Sequence, residues 1–242
     1  MKLIKSGTAF TVKGFTWDAT YNYEKYERTD GDGQRLYQVG EYSVPSVTTI
    51  LSKTQSDDKR KKLDEWRARV GYQEAQRITV KAATRGTEMH YVLENYINGI
   101  GYLNLSEKGA EARLMAHEII KGLPELTKVY GSEVSLAYED KWAGSTDLVC
   151  EYKGEPTILD FKQSNKPKKE EWIEDYFYQI AAYSLAHKKQ YGEIKRGCIA
   201  MCTPDLVFQR FEMTNSQLLE YEEKWLDRVE TYHKKRSEKP QN

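Results

Sequence analysis

Cysteine and long apolar runs are scarce in this sequence of 242 residues. Cys150, Cys198 and Cys202 are an odd number without metal-finger spacing, which indicates buried, reduced thiols rather than a disulfide framework. No stretch approaches the roughly 18 apolar residues of a membrane-spanning helix. The first seven residues resemble neither a signal peptide nor a transit peptide. We therefore expect a cytoplasmic protein that does not bind membranes.

The sequence also lacks a net charge, with 37 basic and 37 acidic side chains. A nucleic-acid-binding domain is usually clearly basic. However, net charge averages over the whole surface, whereas phosphate is bound by a local patch. Residues 59–85 and 162–169 each contain several lysines or arginines. Acidic residues interleave the first stretch, so an ordinary solvated helix face also explains it. Charge alone does not decide the function.

No repeat or flexible linker divides the chain, which favours a single domain of four consecutive parts. We expect a β extension over residues 1–45, with turns at Lys13-Gly14 and at residues 30–33, and a helical part over 46–125. A sheet core over 126–213 and a C-terminal helix over 214–236 follow, and the last six residues form a loose tail. The predicted fold class is α/β, a mixed central sheet flanked by helices, with an N-terminal β-hairpin and a helical elaboration.

Apolar spacing predicts helices over 57–98, 106–121 and 170–190, with Ser46, Ser106 and Thr214 as N-terminal caps. In the helix over 170–190, seven apolar side chains are expected to point inward. They are Trp172, Ile173, Tyr176, Phe177, Ile180, Tyr183 and Leu185.

Two neighbouring predicted strands end in charged residues. Gly144-Ser145-Thr146-Asp147 lies in the first, and Ile158-Leu159-Asp160-Phe161-Lys162 ends the second. Because alternate strand residues share a face, Asp160 and Lys162 point the same way. Asp147, across a hairpin, can reach the same point. Two converging carboxylates repel one another, which favours a bound divalent cation, and oxygen ligands select Mg²⁺ or Mn²⁺.

Such an arrangement suits hydrolysis of a phosphodiester. The metal neutralises the phosphoryl oxygens and acidifies a water, and a neighbouring lysine holds or deprotonates that water. Asp-x-Lys alone is weak evidence, since a strand-end ion pair of about 0–1 kcal/mol also explains it. The combination with Gly-x-x-Asp and with Gln179-x-x-x-Tyr183 makes a site the better interpretation.

This set of motifs resembles the RecB-type branch of the PD-(D/E)xK nuclease superfamily. That branch has a histidine on an early helix, supplied here by residues 85–90 (Arg-Gly-Thr-Glu-Met-His), followed by the three motifs above in the same order. Residues 45–51 (Pro-Ser-Val-Thr-Thr-Ile-Leu), Trp66 and residues 69–71 are similar to the mitochondrial genome maintenance exonuclease and its phage relatives. The resemblance implies a restriction-endonuclease-like core in a DNA exonuclease acting on single strands or free ends in replication, repair or recombination. It also places the protein in bacterial or phage-infected cytoplasm.

The resemblance implies a role for each matching residue. His90, Asp147 and Asp160 bind Mg²⁺ together with the backbone carbonyl of Phe161, and Lys162 positions the attacking water. Glu133 is a further candidate ligand, although a plain surface position explains it equally well. Gln179 and Tyr183 contact DNA phosphate or orient Lys162, with core packing of Tyr183 as the alternative.

Other residues are candidates for contact with DNA. Ser46 and Thr48 can donate to a phosphate at a helix start, or simply cap that helix. Arg85 and Lys166 are further phosphate candidates. Glu94, one helical turn after His90, can orient the imidazole, and a plain surface hydrogen bond explains it equally well. Trp66, Tyr91 and Tyr176 can stack on bases or belong to the core.

Three other kinds of protein would share part of this pattern. A variant with an iron–sulfur cluster needs four cysteines, and three exclude it. A restriction-type endonuclease shares the metal core but normally dimerises, whereas we expect a monomer here. A DNA-binding module with a decayed site should have lost at least one of Asp147, Asp160 and Lys162.

Overall fold

A computed structural model describes residues 15–31, 33–102 and 104–237. The predicted turn at Lys13-Gly14 lies outside these residues. The predicted turn over 30–33 and the loose tail lie partly outside them.

The central sheet has six strands in the order β1-β5-β6-β7-β8-β9. These are β1 (Thr16–Trp17), β5 (Leu126–Tyr138), β6 (Trp142–Tyr152), β7 (Glu155–Gln163), β8 (Arg196–Cys202) and β9 (Phe208–Met213). The pairs β1–β5 and β7–β8 are parallel and the other pairs are antiparallel. The predicted mixed sheet is therefore confirmed.

A separate antiparallel sheet of three strands replaces the single hairpin expected near the N-terminus. It comprises β2 (Arg28–Gly31), β3 (Gln34–Val39) and β4 (Tyr42–Pro45). A bridge between Ser46 and Ala143, and apolar packing of Tyr37 and Val44 on Ala137 and Ala143, attach it to the central sheet.

The described residues form six α-helices, most of which begin and end close to the predicted positions. They are α1 (Val47–Lys53), α2 (Asp57–Val70), α3 (Tyr72–Ile97), α4 (Glu107–Lys121), α5 (Glu174–Gln190) and α6 (Asn215–Ser237). Ser46 and Ser106 cap α1 and α4, and the Thr214 hydroxyl accepts a hydrogen bond from Gln217 N, as expected of caps. The long predicted helix over 57–98 is two helices, because Gly71 has a φ of +89° and breaks it.

Helices cover both faces of the central sheet. Helices α1, α5 and α6 pack on one face, where Val149, Ile158 and Ile199 point, and α3 and α4 pack on the other. The three cysteines are free and buried, and all belong to the second face. They act as small apolar residues, as predicted.

Trp172 was expected to point inward, and this expectation is wrong. A short 3₁₀ turn over Glu170–Trp172 precedes α5, so Trp172 leaves the helical stripe and is 58% exposed beside the Lys169 ammonium. Ile173, Phe177, Ile180 and Tyr183 are buried as predicted.

The segment before β2 is attached to α5 through an aromatic cluster around His187. Tyr21 and Tyr23 pack on His187 and Tyr191. The His187 ring donates from Nδ1 to the Gly192 carbonyl, at 2.7 Å, so Nε2 accepts from the Tyr23 hydroxyl, at 3.0 Å. Burial lowers the pKa of His187, and the folded state therefore holds it neutral.

None of the helices within the described parts of the chain has the length and apolarity that a membrane span requires.

The buried and exposed tryptophans give a direct test of this packing. Trp142 is fully buried, stacks on Tyr138 and meets Trp225 edge-on. We expect Trp142→Ala to lower the free energy of unfolding by about 3–5 kcal/mol, because it leaves a large cavity. Trp172→Ala, the matched control, should change it by less than about 0.5 kcal/mol. Denaturant melts measure both, and equal losses would contradict the assignment of the core.

The neutral state of His187 predicts a pH dependence of stability. Its folded pKa is lowered, so its contribution is complete above the unfolded pKa and is lost as pH falls below about 6.5. We expect His187→Gln to lose less stability than the wild type between pH 7.5 and pH 5.5. Parallel wild-type and His187→Gln curves would contradict this.

Candidate active site

The hairpin of β6 and β7 opens at the predicted motifs. Regular pairing ends at Leu148 and Leu159, so Asp147 and Asp160 are the next facing positions. There the Asp147 carboxylate takes the place of a strand partner, and its Oδ2 accepts a hydrogen bond of 2.6 Å from Phe161 N. Two carboxylates directly opposite each other repel, which destabilises a ladder at this point. The opening separates the strands and gives both carboxylates access to the same space.

A third carboxylate comes from the other neighbouring strand. Pairing between β5 and β6 joins Ser132 to Leu148 and Val134 to Thr146, which leaves Glu133 beside Asp147 without a ladder bond. Glu133 has a φ of +51°, in the left-handed region. Such a backbone costs about 1–3 kcal/mol and is typical of functional sites. Three adjacent strands thus supply one carboxylate each.

His90 reaches the same space from α3. Its Nδ1 lies 3.2 Å from Asp147 Oδ1. One ligand atom from each of His90, Glu133 and Asp147 lies within 4.8 Å of the other two. One imidazole nitrogen and two carboxylates within this distance can bind a divalent cation.

Asp160 and Lys162 complete the cluster. They point the same way, as alternation predicts, and form an ion pair in which Asp160 is 2% exposed. Asp160 Oδ2 is buried and faces the Lys162 ammonium, so the Lys162 charge is its main compensation.

The pKa values show that the carboxylates resist ionising together. Burial raises the pKa of Asp160 to about 6. The Lys162 charge lowers this pKa, and the Asp147 charge raises it, so the two effects partly cancel. Glu133 is an exposed residue, but partial desolvation of its carboxyl group within the cluster and the Asp147 charge together raise its pKa to about 7. Burial opposes the charge of His90, but Asp147 outweighs it and raises the pKa of that imidazole. A divalent cation would relieve this repulsion.

The glycine and tyrosine of two motifs meet in the structure. The Tyr183 ring packs against Gly144, where an added Cβ would lie 2.7 Å from Tyr183 Cε1. Gln179 Nε2 donates to the Tyr183 hydroxyl at 3.1 Å. Both side chains are buried and line the same cleft as the carboxylates. The spacing of these motifs is therefore explained by packing of α5 on β6.

Arg85 fastens α3 to the end of β7. It is 5% exposed, and its Nε and Nη2 donate to Gln163 Oε1 at 3.0 and 2.6 Å. Asn165 accepts a further bond, and Gly86 permits close approach to Gln163. Arg85 does not line the cleft, and neither does Lys166, which is exposed in the loop after β7. The structure thus does not bring these two predicted phosphate contacts to the carboxylates.

The cleft has a volume of about 560 Å³. Ser46, Thr48, Tyr91 and Glu94 line it, together with the cluster described above. Trp66 and Tyr176 do not line it, and the Tyr176 ring instead lies 5.1 Å from Lys162 Nζ.

Sequence reasoning missed several cleft residues: Arg28, Arg35, Tyr37 and Glu88. The first three belong to no motif, and Glu88 lies within residues 85–90 at a position that was given no role. The sequence signal for the first three was the turn at 30–33, which predicts that the residues on either side pair as strands.

No protein-family model matches the sequence. Three curated relatives are named mitochondrial genome maintenance exonuclease 1. The protein of Xenopus tropicalis is 28% identical over 210 residues, that of Mus musculus 28% over 205 and that of Homo sapiens 25% over 205. These alignments cover 81%, 80% and 80% of the chain but only 59%, 60% and 59% of the relatives. The chain thus spans about three fifths of their length.

Similarity to solved structures is weaker. Two matches, one of them to a Eubacterium rectale protein, have TM-scores of 0.44 and 0.38 and identities of 17% and 14%. They cover 63% and 78% of this chain, and 67% and 78% of the matched chains. Likeness at this level carries no argument about function. The sequence relatives do confirm the resemblance that the motifs indicate: the chain is related to the mitochondrial genome maintenance exonucleases within the nuclease superfamily.

Proposed function

We propose that the chain is a Mg²⁺-dependent DNA exonuclease that hydrolyses phosphodiester bonds in single strands or at free ends. The observation that carries this proposal is the meeting of Asp147, Asp160 and Lys162 with His90 and Glu133 where the β6–β7 hairpin opens. The names of the three relatives support the exonuclease activity.

Five groups are candidates to hold the metal. His90, Glu133 and Asp147 each have a ligand atom within 4.8 Å of the other two, and Asp160 lines the same cleft. The Phe161 carbonyl is suited to the same role, because the N–H and C=O of one strand residue point to the same side. Its N–H already binds Asp147. Mg²⁺ held there supplies charge neutralisation at the phosphoryl oxygens and favours deprotonation of the attacking water.

Lys162 is the group suited to position that water. Its ammonium is held beside Asp160 and above the Tyr176 ring, so its direction is fixed before substrate binds. A fixed positive charge also stabilises the negative charge that builds on the phosphate in the transition state. Gln179, Tyr183 and Thr48 line the cleft and would contact DNA phosphate groups there. Ser46 also lines the cleft, but its hydroxyl caps α1 and donates to Thr49.

Removal of the central groups should abolish turnover. We expect Asp160→Asn and Lys162→Ala each to lower the rate of nucleotide release by at least ~100-fold, the lower range for a positioned proton-transfer group. The assay is release of acid-soluble nucleotides from labelled single-stranded DNA with Mg²⁺. Asp227→Asn, an exposed substitution on α6, is the matched control, and melting curves show which variants remain folded. A folded Asp160→Asn enzyme with a wild-type rate would refute the assignment.

Metal binding can be followed without turnover. We expect EDTA to stop nucleotide release, and Mg²⁺ or Mn²⁺ to restore it. The ion should also raise the melting temperature, because a ligand that binds only the folded state stabilises it. Asp147→Asn should lose this shift while Asp227→Asn keeps it. Nucleotide release that persists in EDTA would contradict the metal mechanism, and DNA binding without any release would indicate a binding module.

A further inference from the structure

Four side chains share one face of the small sheet. In the β2–β3 ladder, Asp30 pairs with Arg35 and Arg28 pairs with Tyr37. Because strand residues alternate between faces, all four point to the same side. Arg28, Arg35 and Tyr37 line the cleft that holds the carboxylates, so this face forms one of its walls.

The wall carries one unbalanced positive charge. Asp30 binds both arginines, with Arg28 Nη2 at 3.1 Å and Arg35 Nε at 2.9 Å. One carboxylate therefore compensates the charge of only one of the two guanidinium groups. The arginine side chains are 50% and 41% exposed, and each guanidinium has further N–H donors. Two guanidinium groups held in fixed directions are suited to paired bonds with phosphate oxygens.

The carboxylates on the opposite wall of the cleft make nearby positive charge necessary for binding a DNA strand. Glu133, Asp147 and Asp160 would repel the phosphate groups of a strand on either side of the bond being cut. A bound metal offsets this repulsion at the reacting phosphate only. Neighbouring phosphates require positive groups of the protein itself, and Arg28 and Arg35 face the cleft to provide them.

Arg35 is held in place by the segment that follows β4. Thr49 Oγ1 accepts a bond from Arg35 N at 3.0 Å and donates to Arg35 O at 3.1 Å. Ser46 N also donates to Arg35 O, at 2.8 Å, and Ser46 Oγ donates to Thr49 Oγ1 at 2.9 Å. The hydroxyls of Ser46 and Thr49 are thus used to fix the backbone of Arg35.

A second depression adjoins this wall. It is a shallow groove of about 320 Å³ that shares Arg35 and Thr48 with the cleft and extends over Gln34 and Ser52. Arg35 therefore lies between the two, where a strand that extends beyond the cleft would pass. This position favours contact with phosphates inside the strand over contact with a terminal phosphate.

We propose that Arg28 and Arg35 bind internal phosphodiester groups of the substrate strand, and that Thr49 is a positioning residue for Arg35. This proposal rests on the proposed nuclease function and assigns its substrate-binding wall.

Binding measurements on an inactive background test the arginines. The protein carries Asp160→Asn, and the probe is a fluorescent single-stranded 20-nucleotide DNA in Mg²⁺, followed by anisotropy at several salt concentrations. We expect Arg28→Gln and Arg35→Gln each to weaken binding by about 10-fold or more, as for bonds to a charged group. Each should also reduce the slope of log K against log salt by about 0.7. Arg236→Gln, an exposed arginine at the end of α6, is the control. Unchanged affinity and slope in both variants would overturn the proposal.

The ends of the probe separate internal from terminal phosphates. Strands with a 5′-hydroxyl, a 5′-phosphate or a 3′-phosphate should show the same loss of affinity in Arg35→Gln. A loss confined to strands with one kind of terminal phosphate would overturn the internal assignment.

Substitutions of Thr49 test the positioning role. Thr49→Val removes the hydroxyl and should weaken binding toward the level of Arg35→Gln, while Thr49→Ser should retain wild-type affinity. Added to Arg35→Gln, Thr49→Val should have little further effect, because both act through one contact. An equal loss in both backgrounds would overturn the role of Thr49, and melting curves identify any variant that fails to fold.

Activity of the unmodified protein separates the two proposals. If it neither binds nor cleaves DNA in Mg²⁺, the proposed function fails and the arginine proposal fails with it. If it cleaves DNA with the expected metal dependence but all arginine variants bind as the parent does, only the arginine proposal is overturned.

Discussion

The site depends on one departure from regular sheet pairing. Between β6 and β7 the ladder stops at Leu148 and Leu159, and the Asp147 carboxylate binds Phe161 N in place of a strand partner. Continued pairing would place Asp147 and Asp160 directly opposite each other, with mutual repulsion. Because the ladder stops there, the two carboxylates line a cavity instead of facing each other as a strand pair. His90 reaches this cavity from α3, and the Lys162 ammonium pairs with Asp160.

Much of the surrounding sequence serves to hold this opening in place. Arg85 ties α3 to Gln163, immediately after Lys162, which sets the height of His90 above the sheet. The Tyr183 ring rests on Gly144 and so fixes α5 against β6 three residues before Asp147. Motif residues such as these position a helix against a strand. Their spacing reflects which helix meets which strand end, and a contact with substrate is not needed to explain it.

Acidic and basic side chains line different walls of the cleft, although the chain as a whole has no net charge. Carboxylates of the central sheet form one wall, and the arginines of the small sheet form the other. The two sheets are joined by the bridge between Ser46 and Ala143 and by packing of Tyr37 and Val44 on Ala137 and Ala143, so their relative position is fixed near the site. A nucleic acid can be bound by such a local surplus of positive charge even when the protein has 37 charges of each sign.

The sequence by itself determined the mixed α/β architecture, the helix caps and the convergence of Asp147, Asp160 and Lys162, because strand alternation and hairpin connection are local properties. It placed Trp172 inside, since the helical period did not reveal the 3₁₀ turn before α5. Only the tertiary structure decided that Arg85 is buried on Gln163 and that Arg28 and Arg35 face the cleft. These positions depend on how α3 and the small sheet dock on the central sheet. Docking is set by contacts between residues far apart in the chain, which no local pattern contains.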